Sequence, residues 1–302
     1  MKRHLFVLLG AALLAADARA TQAKTKIDTA KIEDLTGAKG KLDEANNVFK
    51  VSVPRSDLTV IVAGVTLTPP MGLTSWAAFK GVGDRTVVMG DMVLLEDQVN
   101  PVMSVALDNG LEVTALHNHF FWDSPRVMYM HIGGMGDEAK VAGAVGKVLA
   151  KIKETSGGRG EVHAADIDPA KGTLDPGQID AILGNHGEIK DGIYKVTFGR
   201  ETKMHGETMG NTMGVNTWAA FAGSGEKAVV DGDFAMFEAE LQGVLKALRG
   251  AGINVVAIHQ HMTGESPRMI FLHYWGVGRA EDLAKGLRAA LDRTGDSRKT
   301  PR

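Results

Sequence analysis

At 302 residues, 44% of them hydrophobic and 23% charged, the chain has material for one large or two ordinary domains, and this composition excludes disorder. Its 34 Lys and Arg against 36 Asp and Glu leave a formal charge of −2, too balanced for attraction to a phosphate backbone, so no nucleic-acid partner is expected. With no cysteine present, disulfides, thiolate ligands, iron–sulfur clusters and cysteine nucleophiles drop out, which leaves His, Asp, Glu, Arg and Ser chemistry.

The N-terminus reads as an export signal. Lys2, Arg3 and His4 form a basic start, Leu5 to Ala16 is apolar, and Ala18-Arg19-Ala20 offers the small-x-small pattern of a cleavage site. Cleavage after Ala20 is expected, giving a periplasmic or secreted protein. The apolar run falls well short of the roughly 20 residues of a membrane-spanning helix, so no stable membrane insertion is expected after cleavage.

Beyond the leader the sequence is written twice. At an offset of 142, Met71–Gly136 aligns with Met213–Gly278 without a gap, and 25 of the 66 positions are identical. A period this long marks a duplicated domain rather than a solenoid. The repeats are placed at 24–155 and 174–295, with residues 156–173, rich in Gly near their start, as linker. In the first copy Leu73–Phe79 and Thr86–Val93 read as strands. A helix follows with Val99, Val102, Met103, Ala106 and Leu107 on one face, and Gly110 stops it. Glu112–His119 and Arg126–His131 then read as a hairpin, before a last helix carrying Val141, Val145, Val148 and Leu149. The second copy repeats this order. The expected class is α+β: two tandem ββαββα repeats with antiparallel sheets covered by helices, of ferredoxin-like kind.

Six histidines occupy three repeat-equivalent positions: His117/His259, His119/His261 and His131/His273. In His117-x-His119 and His259-x-His261 both rings leave the same side of a strand, about 7 Å apart at their roots, so both can reach one cation. Neutral imidazole is the commonest ligand for transition metals. Whether His131 and His273 join depends on hairpin register, since a one-residue slip reverses the face. The tightest register sets His131 near Val113 or Thr114, far from His117. Packing of hydrogen-bonded histidines in a half-buried sheet is the competing account.

Carboxylates keep the same spacing in both copies. Asp91/Asp233 and Glu96/Glu238 fall between the second strand and the first helix, where either can complete a His-carboxylate site or act as a base. Asp also suits a strand end, and Glu a first helical turn. Arg126 and Arg268, after Ser-Pro, can clamp an anion or serve as struts to those carboxylates. Around the hairpin tip the first copy has Phe120-Phe121-Trp122-Asp123, where the second has Met262-Thr263-Gly264-Glu265. The first tip is therefore bulky and aromatic, the second small.

The stretches Leu73–Phe79, Met89–Glu96, Thr114–Phe120 and Pro125–Gly134 resemble the LppY/LpqO family of bacterial exported proteins. That resemblance implies a duplicated domain of unknown function and carries over no catalytic residues. The expected role is binding of a divalent transition metal (Zn, Cu, Ni, Fe or Mn) through the paired His-x-His motifs, with Glu96 and Glu238 as third ligands. Two alternatives stand beside it. One is a metal-dependent hydrolase or isomerase acting on a small anion, with Glu96 or Glu238 as base and Arg126 or Arg268 orienting the substrate. The other is a cell-envelope ligand-binding module whose histidines are structural.

Overall fold

The computed structural model describes residues 26–156 and 165–295, so the expected leader and part of the expected linker, residues 157–164, lie outside the described residues. The first repeat runs α1 (Thr29–Thr36), β1 (Gly40–Asp43), β2 (Val48–Pro54), β3 (Ile61–Val62), β4 (Val65–Thr66), β5 (Thr74–Val82), β6 (Arg85–Leu95), α2 (Glu96–Asp108), β7 (Glu112–His117), β8 (Asp123–Ser124), β9 (Val127–Gly136) and α3 (Glu138–Thr155). The second runs α4 (Pro176–Leu183), β10 (Gly187–Lys190), β11 (Ile193–Gly199), β12 (Thr202–Met204), β13 (Glu207–Met209), β14 (Asn216–Gly223), β15 (Ala228–Phe237), α5 (Leu241–Gly250), β16 (Asn254–His259), β17 (Met269–Gly278) and α6 (Ala280–Leu291).

The chain is α+β, with six α-helices among the described residues and one large antiparallel sheet. Each repeat contains two strands, a helix, a strand pair and a helix, preceded by an added helix, two further strands of the large sheet and a short hairpin outside it. A ferredoxin-like unit runs β-α-β-β-α-β, whereas here two strands precede the first crossing helix. The added helices are locally specified. Asp28 and Asp175 cap α1 and α4 through their carboxylates, and Gly37 and Gly184 end them in the left-handed region. Gly146 lets α3 cross α1, because a Cβ there would sit 2.1 Å from the Leu35 carbonyl.

Two separate sheets were the expectation; the structure has one of twelve strands, ordered β1-β2-β5-β6-β9-β7-β16-β17-β15-β14-β11-β10. The repeats join where β7 meets β16 antiparallel, and the pair that meets is Leu116 with Ile258, which are equivalent positions. A pseudo-twofold axis therefore passes through the centre of the sheet. Both central strands carry a bulge, between Val113 and Ala115 and between Val255 and Ala257. A bulge leaves backbone groups off the ladder. The opposite repeat satisfies them: Asn100 on α2 donates to the Val255 carbonyl (3.1 Å) and accepts from its N–H (2.8 Å). Gln242 on α5, the equivalent residue, does the same for Val113 at 2.9 and 3.0 Å.

All helices lie on one face. Val88, Met92 and Leu94 point into the core beneath them, and the residues between, Asp91 and Val93, point to the other face by strand alternation. That other face is covered only at one end of each repeat. In the first, the β3–β4 hairpin and the 120–124 loop enclose a small cluster of Val60, Leu67, Leu73, Val93, Val127 and Tyr129. In the second, β12–β13 and its surroundings cover Val215, Ala235, Phe237, Met269 and Phe271.

Candidate metal centre

The uncovered face carries the histidines. In the second repeat Asp233 on β15 stands opposite His273 on β17, and His273 opposite Ala257 on β16. His259 is opposite Phe271, and His261 follows two residues past the strand end, its ring stacked on Phe271 at 3.5 Å. Donor atoms of Asp233, His259 and His261 all lie within 4.8 Å of one another. His261 Nε2 is 3.4 Å from Asp233 Oδ2, and the His273 ring lies 4.7 Å from that of His259. Asp233 Oδ1 and His259 Nε2 are buried without a hydrogen-bond partner. Such orphaned atoms in a converging set are costly unless something charged or polar meets them.

Burial shapes the charge state. It pushes the Asp233 carboxyl above the ordinary range, partly offset by His273. It lowers His259, which His273 lowers further, and lowers His261, helped by His259. Desolvation thus favours neutral imidazoles, the form that ligates a cation.

The first repeat has the same parts in a closed arrangement. Asp91 pairs with His131, and His131 with Ala115. The sequence expectation set His131 further down the ladder; the bulge in β7 and the longer crossing through β8 bring it beside His117 instead. Their Nε2 atoms are 3.0 Å apart, so one ring donates to the other. His119 stacks on Tyr129 at 3.3 Å, and burial lowers it while Asp91 raises it. Tyr129 takes the place of Phe271; its hydroxyl is buried without a partner, and burial with Asp91 and Asp123 pushes its pKa up to about 12.

The carboxylates beside the histidines are the aspartates, not the glutamates expected as third ligands. Glu96 opens α2 with its side chain exposed, and it forms a long ion pair with Arg126 Nη1 at 4.0 Å. Glu238 is exposed in the 3-10 turn before α5. Arg126 and Arg268 are also exposed, so the arginines neither clamp nor support the histidine clusters. The sequence offered both pairs of carboxylates, and it could not choose the aspartates because Asp91 meets His131 only through strand pairing across forty residues. The signal that could have found them was there: Asp91 and Asp233 share strand parity with the valine and alanine facing the satellite clusters, not with the helix-covered residues.

The buried arginines at the sheet end differ between copies. Arg55 takes Asp57 on Nε and Nη2, both at 2.9 Å, with neutral Gln98 and the Val93 carbonyl completing its donors. Arg200 takes Glu240, the residue equivalent to Gln98, at 2.8 Å. The compensating carboxylate has moved from one neighbour to another.

The chain belongs to the family described as Domain of Unknown Function (DUF1259), whose profile matches residues 30–151 and 177–293, one match per repeat. No curated protein matches the chain. Among solved structures, a trimeric bacterial microcompartment shell protein, PduB, aligns over 84% of this chain and 89% of its own at 13% identity, with a TM-score of 0.19. That score supports no equivalence of architecture or site.

Proposed function

We propose that this member of the DUF1259 family is an exported metal-binding protein that holds a divalent transition-metal cation in each repeat. The ligands are Asp233, His259, His261 and His273 in the second repeat and Asp91, His117, His119 and His131 in the first. The observation that carries this reading is the convergence of Asp233, His259 and His261 within 4.8 Å, two of their donor atoms being buried and unpartnered. Three imidazoles and one carboxylate suit Zn, Cu, Ni, Fe or Mn rather than Mg or Ca. Each set comes from a single repeat, which favours two separate ions over one shared across the pseudo-twofold.

A hydrolase or isomerase acting on a small anion has less support. Its base and its anion clamp, Glu96 and Arg126, are exposed and face each other. Export rests on the leader, and the resemblance to LppY/LpqO proteins agrees with it. The test is direct: protein purified untagged from its native compartment is analysed for metal, then stripped and titrated with Zn(II). Bound metal, together with affinity lost in Asp233→Asn, supports the reading. Unchanged zinc affinity in that variant, or no zinc binding by wild type, overturns it.

A further inference from the structure

The two repeats cap their metal-binding faces with the same backbone and opposite chemistry. The hairpin turn between β3 and β4 has Ala63 at φ 48° and Gly64 at φ 88°; between β12 and β13 the turn has His205 at φ 54° and Gly206 at φ 85°. The residues next to the turn are Val62 and Val65 in the first repeat and Met204 and Glu207 in the second, and one position further out Ile61 corresponds to Lys203. An exposed turn ordinarily takes polar residues, yet Ile61 is 43% and Val65 54% exposed. Residues 58–79 contain no Asp, Glu, Lys or Arg.

The neighbouring loop repeats the contrast. Trp122 has φ 61° and its counterpart Gly264 φ 84°. Glycine is the unstrained choice in this region, and a bulky aromatic residue there is an outlier. Trp122 is nevertheless 80% exposed and Phe121 74%, and beyond the contact of their two rings at 5.9 Å little packing within the chain offsets strain or exposure. The loop is held rigidly: Ser124 pairs with Ile61, and Asp123 accepts from the Val127 N–H at 2.8 Å. Hairpin apex and aromatic apex therefore form one apolar edge.

We propose that this edge of the first repeat docks on the surface of a lipid bilayer, with Trp122 and Phe121 entering the interface and Ile61 and Val65 beside them. Convex apices suit a deformable medium better than the flat face of a protein partner. Tryptophan, apolar over most of its area with one N–H, favours the boundary between headgroups and acyl chains. Neither apex carries a basic side chain, and the nearby exposed Arg126 faces Glu96 at 4.0 Å, so the attraction is apolar and needs no anionic lipid. The contact is peripheral and reversible; among the described residues no helix is long and apolar enough to cross a membrane.

The second repeat supplies the substitutions that test this, on the same backbone conformations. Wild-type protein lacking its leader is mixed with phosphatidylcholine vesicles, and cosedimentation and tryptophan emission are measured. Binding with a blue shift is expected. The double variant Phe121→Thr/Trp122→Gly, and separately Ile61→Lys/Val65→Glu, should each bind at least about tenfold more weakly, with unfolding midpoints not below wild type for the first. Failure of wild type to bind, equal binding by both variants, or binding that requires anionic phosphatidylglycerol and vanishes with salt overturns the proposal. So does a concentration-dependent dimer abolished by the same substitutions, since a second copy would then cover the edge.

Discussion

The two histidine clusters are built from the same residues on the same strands, yet one is closed and the other open. In the first repeat the Nε2 atoms of His117 and His131 are paired at 3.0 Å, and Tyr129 lies under His119. In the second, His259 Nε2 has no partner and Phe271 replaces the tyrosine. A carboxylate oxygen is unpartnered in both repeats, Asp91 Oδ1 and Asp233 Oδ1, so the contrast lies in the histidines: a cation entering the first cluster must displace the His117–His131 hydrogen bond, whereas in the second His259 Nε2 is unpartnered. Duplication has kept the residue types and altered what competes for them. The lesson extends to the support around each site, where the copies solve the same packing problem with different residues.

The largest contrast is expected in the sheet. Gly232 faces Tyr274, and an added Cβ would lie 2.2 Å from its hydroxyl and 2.3 Å from the Trp218 carbonyl; at Gly90 the closest approach is 2.7 Å, to the Trp76 carbonyl, with flexible side chains next. Gly232→Ala should cost about 3 kcal/mol or more and Gly90→Ala about 1–2 kcal/mol in chemical denaturation. Equal losses would show that the Tyr274 wedge does not distinguish the repeats.

At the seam the comparison should instead vanish. Asn100→Ala and Gln242→Ala each strip a backbone N–H and C=O of a side-chain partner at a buried bulge, and each should cost about 2–3 kcal/mol by denaturant titration. A loss at one position alone would contradict the pseudo-twofold account of the join. Smaller again, Trp122→Gly should raise stability by about 1 kcal/mol, because the left-handed backbone is relieved. A drop in the unfolding midpoint would mean that the ring packs in solution.

The smallest effect concerns acid. Hydrogen bonds from Arg55 hold the Asp57 carboxyl below its ordinary value, with burial opposing. A carboxylate with a depressed folded pKa contributes stability above its unfolded value of about 3.9 and loses it as pH falls through the folded value. Asp57→Asn should therefore flatten the acid limb of the stability–pH curve while leaving the neutral region lower. An unchanged acid limb would remove Asp57 from the account.

Much of this was legible in the sequence, and the parts that were not share a cause. Repeats, strands β5 and β6, helix α2 and strands β7 and β16 follow from identity at fixed offset and from periodicity, which are local or self-comparing signals, although β7 and β16 end at His117 and His259, so that His119 and His261 lie past the strand ends expected to hold them. The position of His131 depended on a bulge at Val113–Ala115, and the choice of Asp91 over Glu96 depended on which strands pair. The merging of two sheets into one depended on a contact between Leu116 and Ile258, 142 residues apart. Each of these is set by tertiary pairing, for which periodicity carries no information. The asymmetry of the hairpin tips was readable as residues, but its meaning came only when Trp122 and Gly264 proved to share a left-handed backbone.

The most direct test of the central claim is a zinc titration of the stripped protein resolved by variant. Wild type should take up two equivalents, the tighter one belonging to the second repeat. His259→Ala should lose the tight equivalent and keep the weaker, and His117→Ala the reverse. Two full equivalents in both variants, with only a lowered unfolding temperature, would make these histidines structural residues and contradict the account.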